Sequence, residues 1–289
     1  MALPIDFITR TRALLGNEFD SFEAALQADV PVSIRINEKK GAPIPAADTP
    51  DNRVAWCDTG YYLPERLSFT FDPLFHAGAY YVQEASSMFL EQVIRSHVKT
   101  PVRCLDLCAA PGGKSRAIAD ICFANSADVK KCSLVSVDVS ERTAPLVENM
   151  QKVGFMKTVV LECDILKDDL QKKLSERNLP TSFDGVFVDA PCSNTGVLRR
   201  RPDARYRLNS EDISNCAKKQ GEILEVAKNF VKAGGKLEYS TCSIEREEND
   251  CVVEKFLAAN KNFALKENRI LLPDAQNDGA GFALFERLF

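Results

Sequence analysis

Val102-Arg103-Cys104-Leu105-Asp106-Leu107 runs without a break into Cys108-Ala109-Ala110-Pro111-Gly112-Gly113-Lys114-Ser115. The first six residues carry the short apolar pattern of a strand. The next eight are small residues with a proline and paired glycines, the composition of a tight turn that lets backbone come close to a ligand. Working outward, further apolar runs fall at Leu134–Val137, Val159–Leu161, Val186–Val188 and Lys236–Tyr239, with helical segments between most of them. This alternation predicts an α/β fold: a largely parallel, Rossmann-like sheet covered on both faces. In such a sheet ligands bind beyond the carboxyl ends of the strands, where the Cys108–Lys114 turn would lie.

Two phosphate-binding motifs fail at this turn. A P-loop ending at Gly113-Lys114-Ser115 needs glycine at position 108, where the chain has Cys108. The dinucleotide fingerprint needs three spaced glycines, and only Gly112 and Gly113 occur. ATP and NAD are therefore disfavoured. Asp138 closes the second strand run, where a carboxylate can accept hydrogen bonds from both hydroxyls of a ribose. Asp164 follows the third run, within reach of an adenine edge. Either acid alone reads equally well as a solvated loop residue; their placement at successive strand ends favours a nucleoside ligand. A ribose and adenine site without a phosphate cradle points to S-adenosylmethionine.

The first part of the chain has a different grain. Phe19, Phe22, Ala25 and Leu26 recur at helical spacing, and Val32 to Asn37 alternates as a half-buried strand does. A loop rich in proline and aspartate is expected from Gly41 to Asn52, and a helix from Gln83 to Val98 with Phe89, Leu90, Val93 and Ile94 on its apolar face. The expected organisation is a small α+β module over residues 1–75, reading as RNA-binding, and a main domain over 76–289. The clearest helix runs from Glu211 to Lys232, capped by Asn209 or Ser210 and ended by Gly234-Gly235. Cys216 borders its apolar stripe and reads as core packing. The segment Gly279–Phe285 suits a final turn and strand.

Of the 289 residues, 45% are hydrophobic and 27% charged, the balance of a soluble globular protein, and no apolar run approaches a membrane span. MALPIDFITR lacks the basic start and apolar core of a secretory signal, so a cytoplasmic protein is expected. The ten cysteines contain no Cys-x-x-Cys pair, and only His76 and His97 supply imidazoles. Buried reduced thiols are expected, without zinc or other metal. The net charge of −4 disfavours a generally basic nucleic-acid binder. A local patch remains: Arg199, Arg200, Arg201, Arg205 and Arg207 against the single acid Asp203.

Two cysteines stand apart. Asp189-Ala190-Pro191-Cys192 closes the fourth strand run and Tyr239-Ser240-Thr241-Cys242 the fifth, so both thiols should project from the sheet edge that carries the glycine turn. A thiol acts as a nucleophile only as thiolate and needs nearby positive charge, for which Lys114 is the candidate. Thiols beside a methyl donor suit methylation at pyrimidine carbon 5, which becomes nucleophilic once a thiolate adds at carbon 6. A carboxyl group at ring nitrogen 3 stabilises that adduct.

These segments, with Glu247-Glu248-Asn249 after the second cysteine, resemble the motif set of the Sun (Fmu) family of RNA cytosine-5 methyltransferases. The likeness extends from the Arg35–Asn37 strand and Gln83-Glu84-Ala85-Ser86-Ser87 to Gly281-Phe282, essentially the whole chain. The resemblance implies a class I methyltransferase sheet with S-adenosylmethionine as cofactor. It implies Cys242 as the nucleophile, Cys192 as the thiol that assists release, and Asp189 as the contact to nitrogen 3 with Lys114 beside it. Cys108, Ala109, Ala110, Pro111, Gly112, Gly113, Lys114, Asp138, Arg142, Asp164 and Asp189 would hold the cofactor. The chain departs from the pattern at Asn194, where glycine is usual, and at Glu238, where the strand usually has an apolar residue. The turn before Arg142 is one residue short, and the chain leaves no room for the added RNA-binding domains of some relatives.

The expected substrate is RNA, small-subunit ribosomal RNA first and transfer RNA as the alternative, with the target base out of its stack. Arg199–Arg207 would grip phosphates beside the pocket, with Tyr206 placed to stack on a base. The blander reading of that run is a solvated face. A DNA enzyme using Cys192 as nucleophile, and a ribosome-assembly factor without activity, are the rival readings. The retained thiols, Asp189 and Lys114 argue against the second. A monomer is expected.

Overall fold

The computed structural model describes residues 3–41, 52–98, 102–124, 132–154 and 158–289. Apart from its two end residues, the loop expected from Gly41 to Asn52 lies outside these. Helices α1 (Ile5–Leu15) and α2 (Phe19–Gln27) open the chain. Phe19, Phe22 and Leu26 are buried as their spacing predicts, but they pack with Leu198 and Ile244, far along the chain. The first two helices are thus fastened to loops of the main domain.

Strand β1 (Val32–Ile36) lies between β2 (Gly60–Leu63) and β3 (Tyr80–Val82) in an antiparallel sheet, with α3 (Pro73–His76) ahead of β3. The sheet pairing carries this module past the 75/76 division expected from sequence, since Tyr80 pairs with Ile36 and Val82 with Ile34. Strand β1 is also not half-buried. Val32, Ser33, Ile34 and Arg35 are all buried, because α4 (Leu90–His97) covers the face that alternation had assigned to solvent. There Arg35 Nη2 meets the carboxylate of Glu91 at 2.8 Å, both side chains 1% exposed. The α4 helix is shorter than the expected Gln83–Val98: Ser86–Phe89 forms a 3-10 turn first. Its apolar face, Phe89, Leu90, Val93 and Ile94, is buried as expected.

The main domain follows the predicted alternation: β4 (Arg103–Leu107), α5 (Gly113–Ala124), β5 (Ser133–Asp138), α6 (Ser140–Val153), β6 (Thr158–Glu162), α7 (Leu170–Glu176), β7 (Phe183–Asp189), α8 (Pro202–Arg207), α9 (Ser210–Ala227), β8 (Val231–Thr241), α10 (Asp250–Ala259), β9 (Phe263–Leu271) and β10 (Ala280–Arg287). The seven strands lie in the order β6-β5-β4-β7-β8-β10-β9. Strand β10 runs antiparallel to both neighbours, and the pairs β4–β5, β5–β6, β4–β7 and β7–β8 are parallel. Winding reverses between β4 and β7, which makes their carboxyl ends the switch point where ligands bind. Alternate residues of each strand face opposite layers, Leu105, Val186 and Leu237 into one core and Cys104, Phe187 and Leu284 into the other.

Helix α9 ends sooner than expected. Asn209 caps it, accepting from Asp212 N at 2.8 Å, but the helix stops at Ala227 and Val231 already pairs with Phe183. Phe230 and Val231 are buried in the sheet core, so hydrophobic burial overrides the glycine stop signal and Gly234-Gly235 fall inside β8.

The arginine run is also differently used. Arg199 is buried: its Nε is paired with Asp278 Oδ1, and it donates to the carbonyls of Asp274 at 2.8 Å, Ala25 at 3.2 Å and Asn277. Arg200 pairs with the other oxygen of Asp278 and with the Pro31 carbonyl. Arg205 donates to Leu198 O and Leu26 O. Three of the five arginines therefore hold the end of α2 and its following loop against the main domain, because three carbonyl-rich turns converge there around one buried acid. Among the described side chains of the run Arg201 is the exposed one, 3.4 Å from Asp203. The side chains of Tyr206 and Arg207 lie outside the described residues. We expect Asp278→Ala, which strands two arginines, to cost about 3–5 kcal/mol of stability in urea unfolding. A midpoint within error of the parent would mean that the arginines do not fasten this module.

Candidate active site

The glycine turn closes β4 with the backbone its sequence implied. Cys108 has φ +60° and Gly112 φ +110°. A side chain on Gly112 would press on Leu146 Cδ1 at 3.2 Å, and one on Gly113 on Tyr81 Cε1 at 3.1 Å. The turn is thus pinned between α6 and the first module. Asp138 binds it from the neighbouring strand: Oδ2 accepts from Ala110 N at 2.7 Å and Oδ1 from Val139 N at 2.8 Å. Arg142, on the first turn of α6, reaches over to donate to Ala110 O at 2.7 Å. The short connection after Asp138 therefore still brings Arg142 to the turn.

Asp138, Arg142 and Asp164 line a cavity of about 250 Å³ together with Cys108, Ile165 and Leu166. Apolar side chains beside two carboxylates suit an adenine and ribose. Asp164 is held by Lys167 at 2.9 Å and accepts from Leu166 N at 3.2 Å. Burial, and then the carboxylates of Asp138 and Asp189, push the Cys108 thiol up to about 12, so it packs rather than reacts.

Adjoining this cavity is a second of about 450 Å³, lined by Cys192, Ser193, Asn194, Arg201, Cys216 and Lys219. The two share Pro191 and Lys219. Cys192 lines this cavity and meets the other motif cysteine, Cys242: their sulfurs are 2.8 Å apart, and Cys242 N lies 3.3 Å from Cys192 Sγ. Adjacent parallel strands account for this, since β7 and β8 are paired through Asp189 and Ser240. The bond to Cys242 and then burial hold the Cys192 thiol well above its ordinary value, so it rests protonated. Cys216 is half-buried in this cavity wall and not in the core as its stripe suggested. The helix turns it toward Glu248, and burial raises its thiol to about 11.

Lys114 projects from the start of α5 and pairs with Asp189 Oδ1, while donating to Ser240 Oγ at 3.0 Å. Burial opposes its charge, but Asp189 and Glu238 outweigh that and keep the ammonium above its ordinary value. Its hydrogen bonds go to Asp189 and Ser240.

Sequence reasoning noted Glu248 and Asn249 without giving them work. Glu248 is buried and ties both cysteine loops together. Its Oε1 accepts from Ser193 N and from Gln220 Nε2, each at 2.9 Å. Its Oε2 accepts from Ser243 Oγ at 2.5 Å and from Ser193 Oγ. Asn249 binds Thr241 Oγ1 at 2.8 Å and the Ser243 and Glu245 carbonyls at 2.9 Å. An acidic run after the motif looks like a solvated helix start; its only sequence signal is its closeness to Cys242. Asn194 adopts φ +63°, as glycine would, but adds an amide whose oxygen lies 3.1 Å from Cys242 Sγ.

This strand order and the small-residue turn are those of a Rossmann-like class I methyltransferase fold. A family profile described as 16S rRNA methyltransferase RsmB/F matches residues 97–286, and one described as the N-terminal domain of 16S rRNA methyltransferase RsmF matches residues 3–85. The chain belongs to the RsmB/F family. Ribosomal RNA small subunit methyltransferase F of Citrobacter koseri is 31% identical over 264 residues, covering 86% of this chain and 52% of that protein. The chain thus spans about half the length of the curated relatives it matches. Among solved structures, PH0851 is 27% identical with a TM-score of 0.85, over 98% of this chain and 66% of that one. A methyltransferase homolog protein from Pyrococcus horikoshii is 25% identical with a TM-score of 0.71, over 97% and 99%. Among the described residues no helix is long and apolar enough to cross a membrane.

Glu248→Gln turns an amide toward Ser193 N–H and Gln220, and we expect it to cost about 1–3 kcal/mol in denaturant unfolding. Unchanged stability would show that the carboxylate does not clamp the two loops.

Proposed function

We propose that the chain methylates carbon 5 of a cytosine in RNA, with small-subunit ribosomal RNA as substrate. The observation that carries this reading is the contact of Cys242 with Cys192, which itself lines a cavity adjoining the cofactor cleft, with Asp189 on the neighbouring strand end. In this reading Asp138, Arg142, Asp164 and the Cys108–Lys114 turn hold the cofactor, in the cytoplasm and in a monomeric enzyme.

The target cytosine leaves its stack and enters the larger cavity. Cys242 gives up its proton to solvent and its thiolate adds to carbon 6. The ring electrons move toward carbon 5 and nitrogen 3, where Asp189, oriented by Lys114 and carrying a proton taken up from solvent, donates it to the nitrogen. S-adenosylmethionine, when bound, supplies an electrophilic methyl group to the activated carbon 5. The carbon 5 proton then passes to a solvent base, and the electron pair it leaves expels the Cys242 sulfur. Cys192, resting protonated in contact with that sulfur, donates to it as it departs. Arg201 and Lys219, at the cavity wall, are the cations available to backbone phosphates, and the first module offers a second RNA surface.

Two substitutions separate the thiol roles. Cys242→Ala should bind cofactor and transfer no labelled methyl group. Cys192→Ala should accumulate a covalent protein–RNA complex, visible as a shifted band in a denaturing gel. Full activity in Cys242→Ala would sink the mechanism, and an adduct trapped by that variant instead would make Cys192 the nucleophile. Labelled transfer to total RNA, followed by mapping of 5-methylcytosine, tests the substrate.

A further inference from the structure

Glu238 lies within β8 and is 1% exposed. Neither of its carboxyl oxygens has a hydrogen-bond partner. Its strand neighbours on either side are Phe187 and Leu284, which offer none. It shares a face with Ser240, two residues on, whose oxygen accepts from Lys114 and whose hydroxyl proton is not used by that bond. The charged and titratable groups around it come from three other elements: Lys114 from α5, Asp189 from the end of β7 and Asp106 from β4.

The cluster is overloaded with acid. Three carboxyl groups, Asp106, Asp189 and Glu238, face the ammonium of Lys114, and Asp189 holds that ammonium directly. Asp106 is served by Ser115, whose hydroxyl is in turn bound by Ser136 at 3.0 Å, and it is pushed up to about 7 by burial and then by the charge of Asp189. Burial drives Glu238 up to about 8, against the pull of Lys114 and with the help of Asp189 and Asp106. A buried acid without a hydrogen bond is costly, and an apolar residue would fill the same site at lower cost.

We propose that Glu238 is a positioning residue for the Lys114–Asp189 pair: while neutral it leaves the ammonium to Asp189, and once ionised it competes for that ammonium and loosens the carboxyl that meets the base. This rests on the methyl-transfer reading above. The residue gives the site a response to alkaline pH that an apolar residue at this position would not have.

The test compares the parent with Glu238→Gln and Glu238→Val by two measurements. The first is single-turnover methyl transfer to RNA across the neutral and alkaline range. The parent rate should fall several-fold from its maximum as pH rises past about 8, and both variants should lack that limb. The second is melting temperature against pH, without substrate. An acid whose folded value is raised leaves the folded state with more bound protons than the unfolded chain. The stability it permits is therefore present at low pH and lost as pH rises through about 8. The variants should melt higher than the parent, by a gap that widens from about pH 5 to about 8 and then levels.

Superposable pH–rate profiles would overturn the proposal, and so would a gap independent of pH. Wild-type protein that transfers no methyl group at any pH, with the melting gap intact, would remove the activity reading and the positioning role with it. That outcome is distinct from active enzyme with unshifted profiles, which removes the positioning role alone.

Discussion

Strands β4, β7 and β8 lie side by side because the chain reverses its winding at β4, and a parallel ladder leaves all three carboxyl ends facing one opening. Everything reactive in this molecule descends from that constraint. The glycine turn leaves β4, Asp189 and Cys192 leave β7, and Ser240 and Cys242 leave β8. Register does the fine work: Asp189 is paired with Ser240, so Lys114 can hold both and the two thiols meet beyond them. Strand β10, packed antiparallel against β8, closes the far side. Its Gly281 lies against Asn249, where an added side chain would come within 1.9 Å of Oδ1. The loop after Cys242 is therefore confined from above and behind.

The chemistry was more legible than the packing. Strand ends, glycine turns and thiols at strand ends are local patterns, and Cys108–Lys114, Asp138, Asp189, Cys192 and Cys242 could be placed from sequence because each sits within a few residues of its own strand. What a side chain meets across the fold is not local. Arg199 reads as a surface cation beside its basic neighbours, yet it is buried because Asp278 and three distant carbonyls surround it. Cys216 reads as core because helical spacing gives the stripe but not its edge. The end of α9 was misplaced for a related reason: Gly234-Gly235 is a strong local stop, but Phe230 and Val231 gain more by joining the sheet core. Glu248 was noted but given no role, because nothing in an acidic run announces that one member turns inward.

The polar interior also carries an energetic tension. Arg35 and Glu91, Asp278 and its arginines, Glu248 and its serines, and the Lys114 cluster are buried polar groups in a protein whose apolar layers alone would hold the sheet. Such groups add little net stability and are expensive to leave half-satisfied. Their common property here is position. Each joins separate elements: first module to main domain, thiol loop to thiol loop, glycine turn to strand end. Apolar packing tolerates small displacements, whereas these pairs fix orientation.

The arrangement around Asp278 bears on how the molecule is made. Its carboxylate is shared by Arg199 and Arg200, which in turn hold the Ala25 and Pro31 carbonyls, while its backbone N–H donates to Glu84 at 3.0 Å. Residues 25–31 leave the ribosome long before Asp278 does. During synthesis the first helices therefore emerge with Phe19, Phe22 and Leu26 lacking the surface that finally covers them. Contacts of such long sequence separation form late. The opening segment would wait as an exposed apolar hairpin, in need of chaperone cover, until nearly the whole of the described chain has emerged and can dock it.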